Sequence, residues 1–164
     1  NRFTDDYFTV SLPSELNSSS ATSPAWYGYV AALNVLGTPM LFSTEPLSQY
    51  FIMGTNGDKS AIDKHHIFPK HYLQSIGYDD DRDRNQIANF TYLDYVTNIE
   101  ISDASPLEYV EIYRKKLGKD AFNLTCEQNA LPLNFENLSY LEFLKQRRLL
   151  MAQIIKKAYA KLDF

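Results

Sequence analysis

Two short runs of strand-forming residues most constrain what this chain can fold into. They are Asp63-Lys64-His65-His66-Ile67-Phe68-Pro69 and Asn89-Phe90-Thr91-Tyr92-Leu93. Each is too short for a helix and mixes β-branched with aromatic side chains, so each reads as a strand. Between them, Gly77 and the charged stretch Asp79-Asp80-Asp81-Arg82-Asp83-Arg84-Asn85 read as a solvated loop. After Leu93, the segment Asp94-Tyr95-Val96-Thr97-Asn98-Ile99 starts a helix, with Asp94 as its N-cap. The expected local unit is strand, long loop, strand, helix.

The side chains in this unit have a chemistry of their own. Neighbouring residues of a strand point to opposite faces, so His65 and His66 diverge unless the backbone bends there, and the pair suggests two different jobs. An imidazole either ligates a metal or takes a proton near neutral pH. Asn98, on the first turn of the helix, offers an amide oxygen to a hard divalent cation. One histidine on a metal, one as a base beside it and an amide oxygen opposite make a hydrolytic site.

These residues resemble the HNH motif of the ββα-metal nucleases. His65-His66-Ile67-x-Pro69 falls where that family has Asp-His or His-His, an aliphatic residue, a variable one and proline. Asn89 falls on the family's middle asparagine and Asn98 on its last asparagine or histidine. More narrowly, His-His-Ile-Phe-Pro-Lys followed by Ile-Ala-Asn-Phe-Thr-Tyr-Leu and Thr-Asn is similar to the C-terminal nuclease domain of GmrSD-like (type IV) restriction proteins. The likeness runs from about Ser23 to the C-terminus. It implies an α+β, mainly helical fold in which a two-stranded hairpin is embedded among flanking helices, the finger spanning about residues 63–102. It also implies a DNA endonuclease of a restriction or anti-phage defence protein, acting downstream of a nucleotide-hydrolysing domain. His66 would be the general base, with Asn89 completing the catalytic pair as the brace of the finger rather than as a reactant. His65 and Asn98 would hold the metal, and Asp63 would orient a histidine. The ion expected is Mg²⁺ or Mn²⁺, with Ni²⁺ or Zn²⁺ as further candidates because one ligand is an imidazole. Lys70, His71, Arg82 and Arg84 are candidate phosphate contacts. The chain departs from the family pattern in having His65 in place of the commoner aspartate, and Ile99-Glu100 where basic residues are expected.

Composition sets the frame. With 164 residues, 45% of them hydrophobic, the chain can build one core, so one domain over residues 24–164 is expected. Residues 1–23, with Ser-Leu-Pro-Ser-Glu-Leu-Asn-Ser-Ser-Ser, read as an extended linker from an upstream domain. The single cysteine, Cys126, excludes an intrachain disulfide and a four-cysteine zinc site, and fits a cytoplasmic setting. No run approaches a membrane span. A formal net charge of −4 argues against a general nucleic-acid binder and makes long-range steering weak. An alternative reading is therefore a non-catalytic module that keeps the fold to bind nucleic acid or dock another domain. Another is a helical protein with a zinc site on His65, His66 and His71.

Helix signals surround the motif. Ser23-Pro24 opens a helix through Leu36, closed by Gly37. Pro46 opens a short helix through Phe51, and Gly54-Thr55-Asn56-Gly57 is turn chemistry. Ser105-Pro106-Leu107-Glu108 and Ser139-Tyr140-Leu141-Glu142 are capping boxes, the second opening a long helix to about Lys161. Its expected buried stripe is Leu141, Leu144, Met151, Ile155, Tyr159 and Leu162. Its other face, with Lys145, Arg147, Arg148, Lys156, Lys157 and Lys161, reads as a basic strip, either simply solvated or able to track phosphates.

Overall fold

The computed structural model describes residues 3–52 and 62–162. Local capping chemistry sets most helix starts. Ser23 Oγ accepts the Trp26 N–H and Pro24 fills the first helical position of α2 (Pro24–Val35). Ser105 and Glu108 cap each other reciprocally at the start of α7 (Pro106–Leu117). Gly118, at φ 83°, ends that helix and leads directly into α8 (Lys119–Gln128). At α9 (Tyr140–Lys161) only half the expected box forms: Ser139 caps the Glu142 N–H, while the Glu142 carboxylate accepts from Gln146. The short helix α3 runs Leu47–Ile52. The expected turn at residues 54–57 lies outside the described residues.

The chain is mainly helical with one two-stranded antiparallel sheet among the described residues. Strand β1 (Ile62–His66) pairs with β2 (Phe90–Asp94), His66 opposite Phe90, His65 opposite Thr91 and Lys64 opposite Tyr92. Helix α6 (Tyr95–Ile101) follows β2 without a break, because Asp94 caps it through the Thr97 N–H and hydroxyl. The other edge of β2 is also occupied, since Leu41 N–H donates to the Tyr92 carbonyl. Among the described residues no helix is long and apolar enough to cross a membrane.

The connection expected to be a solvated loop is instead partly helical. Leu73, with no exposed surface, anchors α4 (Lys70–Ser75) to the core, and Asp80 caps α5 (Asp81–Arg84) through the Arg82 N–H. A run of charges tells nothing about a single buried leucine upstream of it, and the aspartate read as loop chemistry is equally a helix cap.

Within the segment expected to be an extended linker, residues 3–23 are partly helical. A π-helical turn, Tyr7–Ser11, runs into α1 (Leu12–Glu15), and Phe8, Leu12 and Leu16 join the core. Their i, i+4, i+8 spacing makes an apolar stripe that packs on α9. The serine run shapes only the segment after Leu16, and even there the Ser18 carbonyl accepts the Ile87 N–H at 2.8 Å.

Helices α2 and α9 pack against each other, and the hairpin and the bend after β1 are seated on them. Trp26 of α2 meets Phe90 and Tyr92 of β2 with ring centroids 5.9 Å apart. Phe143 and Tyr140 of α9 meet Phe68, just past β1, at 4.7 and 5.5 Å. The buried stripe of α9 is Tyr140, Phe143, Leu144, Arg147, Met151, Ala152 and Ala158. Only Leu144 and Met151 of the expected stripe belong to it, and Leu141, Tyr159 and Leu162 are exposed. Arg147 lies at the centre of the buried face. Its guanidinium is fully buried and donates to the carbonyls of Ala88 (2.8 Å), Phe90 (2.5 Å) and Asn129 (3.3 Å), with the Tyr29 ring 5.8 Å away. A buried cation is tolerated when polar groups surround it.

Candidate functional site

The bend after β1 is fixed from several sides. Asn89 has no exposed surface. Its Oδ1 accepts the Phe68 N–H at 2.8 Å, and its Nδ2 donates to the carbonyls of Phe68 (3.1 Å) and Arg84 (3.2 Å). Its own carbonyl accepts the Ile67 N–H, and the Ile67 carbonyl accepts the Tyr109 hydroxyl at 2.5 Å. Asn89 thus ties the end of β1 to the start of β2 and to α5. Every polar atom of its side chain is used, so the residue braces the bend and has none left for a reactant.

His66, at the end of β1, is partly buried. Its Nε2 lies 2.8 Å from Asn85 Oδ1, an atom that can only accept, so Nε2 carries the proton and Nδ1 keeps its lone pair. The Phe90 ring stands nearly perpendicular to the imidazole, 5.1 Å away at 76°. Burial lowers the pKa of His66 below the ordinary histidine value. The Asn85 hydrogen bond partly offsets this, and the charges of Lys70, Lys64 and Arg84 reinforce it. The imidazole is held in one tautomer and favoured in its neutral form, as a general base requires. Asn85 is not legible as a partner in the sequence: it closes a charged stretch that reads as loop, and only the folding of α5 brings its amide beside His66.

His65 precedes His66, pairs across from Thr91 and is partly buried. Asn98 is the fourth residue of α6, one turn beyond the Asp94 cap, on a helix that packs against both strands. It is partly buried, and its carboxamide makes no hydrogen bond to another described residue. The side chain of Asp63 lies outside the described residues. An imidazole nitrogen and an amide oxygen are donors suited to Mn²⁺, or to Mg²⁺ with water and phosphate completing its shell. No three His, Cys, Asp or Glu side chains gather among the described residues, and His65, His66 and His71 are not brought together as a set.

The candidate phosphate contacts divide. His71 and Arg82 are exposed, and Lys70 is exposed but paired with Asp81 at 2.8 Å. Arg84 turns inward: it is 7% exposed and donates to Asp81 (2.7 Å) and to the Tyr78 carbonyl (3.3 Å), which makes it a structural residue of the bend rather than a phosphate contact. Lys70 first and Arg84 next hold the Asp81 carboxyl down to about 2. Glu100, the acid found where a basic residue was expected, is covered by the Tyr113 hydroxyl and by Lys116 at 2.8 Å. The α9 strip is broken up. Arg147 is buried, Arg148 partly so, Lys156 pairs with Asp5, and Lys161 donates to the Val35 carbonyl, leaving Lys145 and Lys157 simply exposed.

Comparison of the chain with family models, with characterised proteins and with solved structures gives no match.

Proposed function

We propose that this chain is a metal-dependent endonuclease of the HNH (ββα-metal) type, hydrolysing DNA phosphodiester bonds as the nuclease domain of a cytoplasmic restriction or defence protein with an upstream nucleotide-hydrolysing domain. The order β1, bend, β2, α6, with His66 at the end of the first strand, Asn89 before the second and Asn98 in the helix, supports the reading. The observation that carries it is the hydrogen bond from His66 Nε2 to Asn85, which leaves Nδ1 as the basic atom on a half-buried imidazole.

In this mechanism Nδ1 of His66 takes a proton from a water molecule as its oxygen bonds to phosphorus. The bond from phosphorus to the 3′ oxygen breaks in line, and that oxygen acquires a proton from solvent. The imidazolium that forms keeps its Nε2–H on Asn85, so the ring does not turn during the transfer. Asn89 holds the backbone of the bend so that the imidazole stays in place. A divalent cation held by His65 and Asn98 would supply Lewis-acid stabilisation of the charge growing on the phosphate.

Nicking of supercoiled plasmid with Mg²⁺ or Mn²⁺ tests the proposal. Wild type nicks, and His66→Ala loses roughly 10²- to 10⁴-fold of that activity, the usual worth of a general base. Equal nicking by both proteins, or none by either, overturns it in favour of a non-catalytic module.

A further inference from the structure

Lys64 lies two residues before His66 on β1, so the two side chains share a face of the hairpin. They also share a platform. The Lys64 ammonium sits 4.6 Å from the centre of the Phe90 ring, and the His66 imidazole stands 5.1 Å from the same ring. Phe90 is itself fixed, buried among the core side chains and with its carbonyl held by Arg147. The stem of Lys64 is therefore steered by an aromatic surface, which a lysine on an open strand would lack.

The charges around this platform are uneven. The cations acting on His66 are Lys70, Lys64 and Arg84. Lys70 and Arg84 both spend their charge on Asp81, at 2.8 and 2.7 Å. Lys64 is exposed and has no ion pair with any described residue. In a chain of net charge −4, an ammonium with no ion pair to a described residue thus stands beside the imidazole, over the same ring.

We infer that Lys64 is the phosphate-binding residue of the His66 site, its ammonium contacting a backbone phosphate of DNA laid across this face of the hairpin. This rests on the nuclease reading for the identity of the strand. A point charge on a flexible stem suits a phosphate oxygen without reading sequence. The contact adds affinity uniformly along DNA and is weakened by salt.

The test compares wild type with Lys64→Met and Lys64→Arg. Met keeps an apolar stem on Phe90 and removes only the charge, while Arg restores the charge. Binding of short labelled DNA duplexes of unrelated sequence is followed by fluorescence anisotropy in chelator, across a salt series, beside plasmid nicking. Expected for Lys64→Met is several-fold weaker binding to every duplex and a salt slope lower by about one, with Lys64→Arg close to wild type. Lys64→Met binding like wild type at every salt concentration overturns the inference, and so does a wild type that binds no duplex. The two readings fail separately. His66-dependent nicking with charge-independent binding removes the role of Lys64 alone. Lys64-dependent binding without nicking removes the hydrolase and leaves a DNA-binding module.

Discussion

Asn89 clasps the peptide of Phe68 from both sides, its Oδ1 accepting the N–H at 2.8 Å and its Nδ2 donating to the carbonyl at 3.1 Å. The same Nδ2 reaches the Arg84 carbonyl, so one fully buried amide joins three segments. Asn89→Ala strands those backbone groups away from water and should cost about 2–4 kcal/mol. Asn89→Asp should cost at least as much, since it replaces two donors with a buried charge. Urea unfolding followed by circular dichroism measures both. A loss below about 0.5 kcal/mol for Asn89→Ala, within the range of ordinary surface changes, would refute the brace.

Arg147 satisfies three carbonyls with one side chain. Truncation to Ala removes those hydrogen bonds and opens a cavity, and should cost about 3–5 kcal/mol. Arg147→Lys keeps the charge but has a single nitrogen with which to reach Ala88, Phe90 and Asn129, so it should recover only part of the loss. Thermal melts of the two variants check the order, and a lysine variant as stable as wild type would show that charge alone matters at this position.

Asn85 acts through His66. In wild type, nitrogen NMR of the neutral imidazole should show the proton on Nε2. In Asn85→Ala that preference should relax toward a mixture, and nicking should fall by about tenfold or more through kcat with KM little changed, as for other residues that orient a reacting group. Asn85→Ala with wild-type tautomer and wild-type kcat would leave the hydrogen bond without a positioning role.

Asp81 makes stability depend on pH. Its carboxyl titrates at about 2 in the folded protein against an ordinary 3.8, so the unfolded chain binds the proton more readily in the interval between. The contribution is fully present above 3.8 and is lost as pH falls through about 2. The group is exposed, so the effect is small. Urea midpoints of wild type and Asp81→Asn should differ at neutral pH and converge across that window. A gap that stays constant down to the acid end would show that the ion pairs with Lys70 and Arg84 contribute nothing through charge.

The range of each interaction decides whether the sequence discloses it. Ser23, Asp94, Ser105 and Ser139 are legible as caps because a cap and its N–H lie within a few residues. The pairing of the His65-His66 and Asn89–Leu93 runs as strands is legible because each run is short and rich in strand formers. Arg147 is not, since the carbonyls that make its burial tolerable come from segments 18 to 59 residues away. Asn85 is hidden for the same reason, its partner lying 19 residues upstream. Phe8, Leu12 and Leu16 carry a readable period, but the serines after them make the whole segment resemble a linker. Arg84 looks like a phosphate ligand because sequence gives its charge and not the direction in which the bend turns it.

The carbonyls of Ala88 and Phe90 depend on a guanidinium encoded well downstream of them, in α9. During synthesis, a nascent chain that has already emitted both histidines and both strands still lacks the group that seats them. A fragment that ends before α9 therefore carries the motif without the guanidinium that holds its second strand.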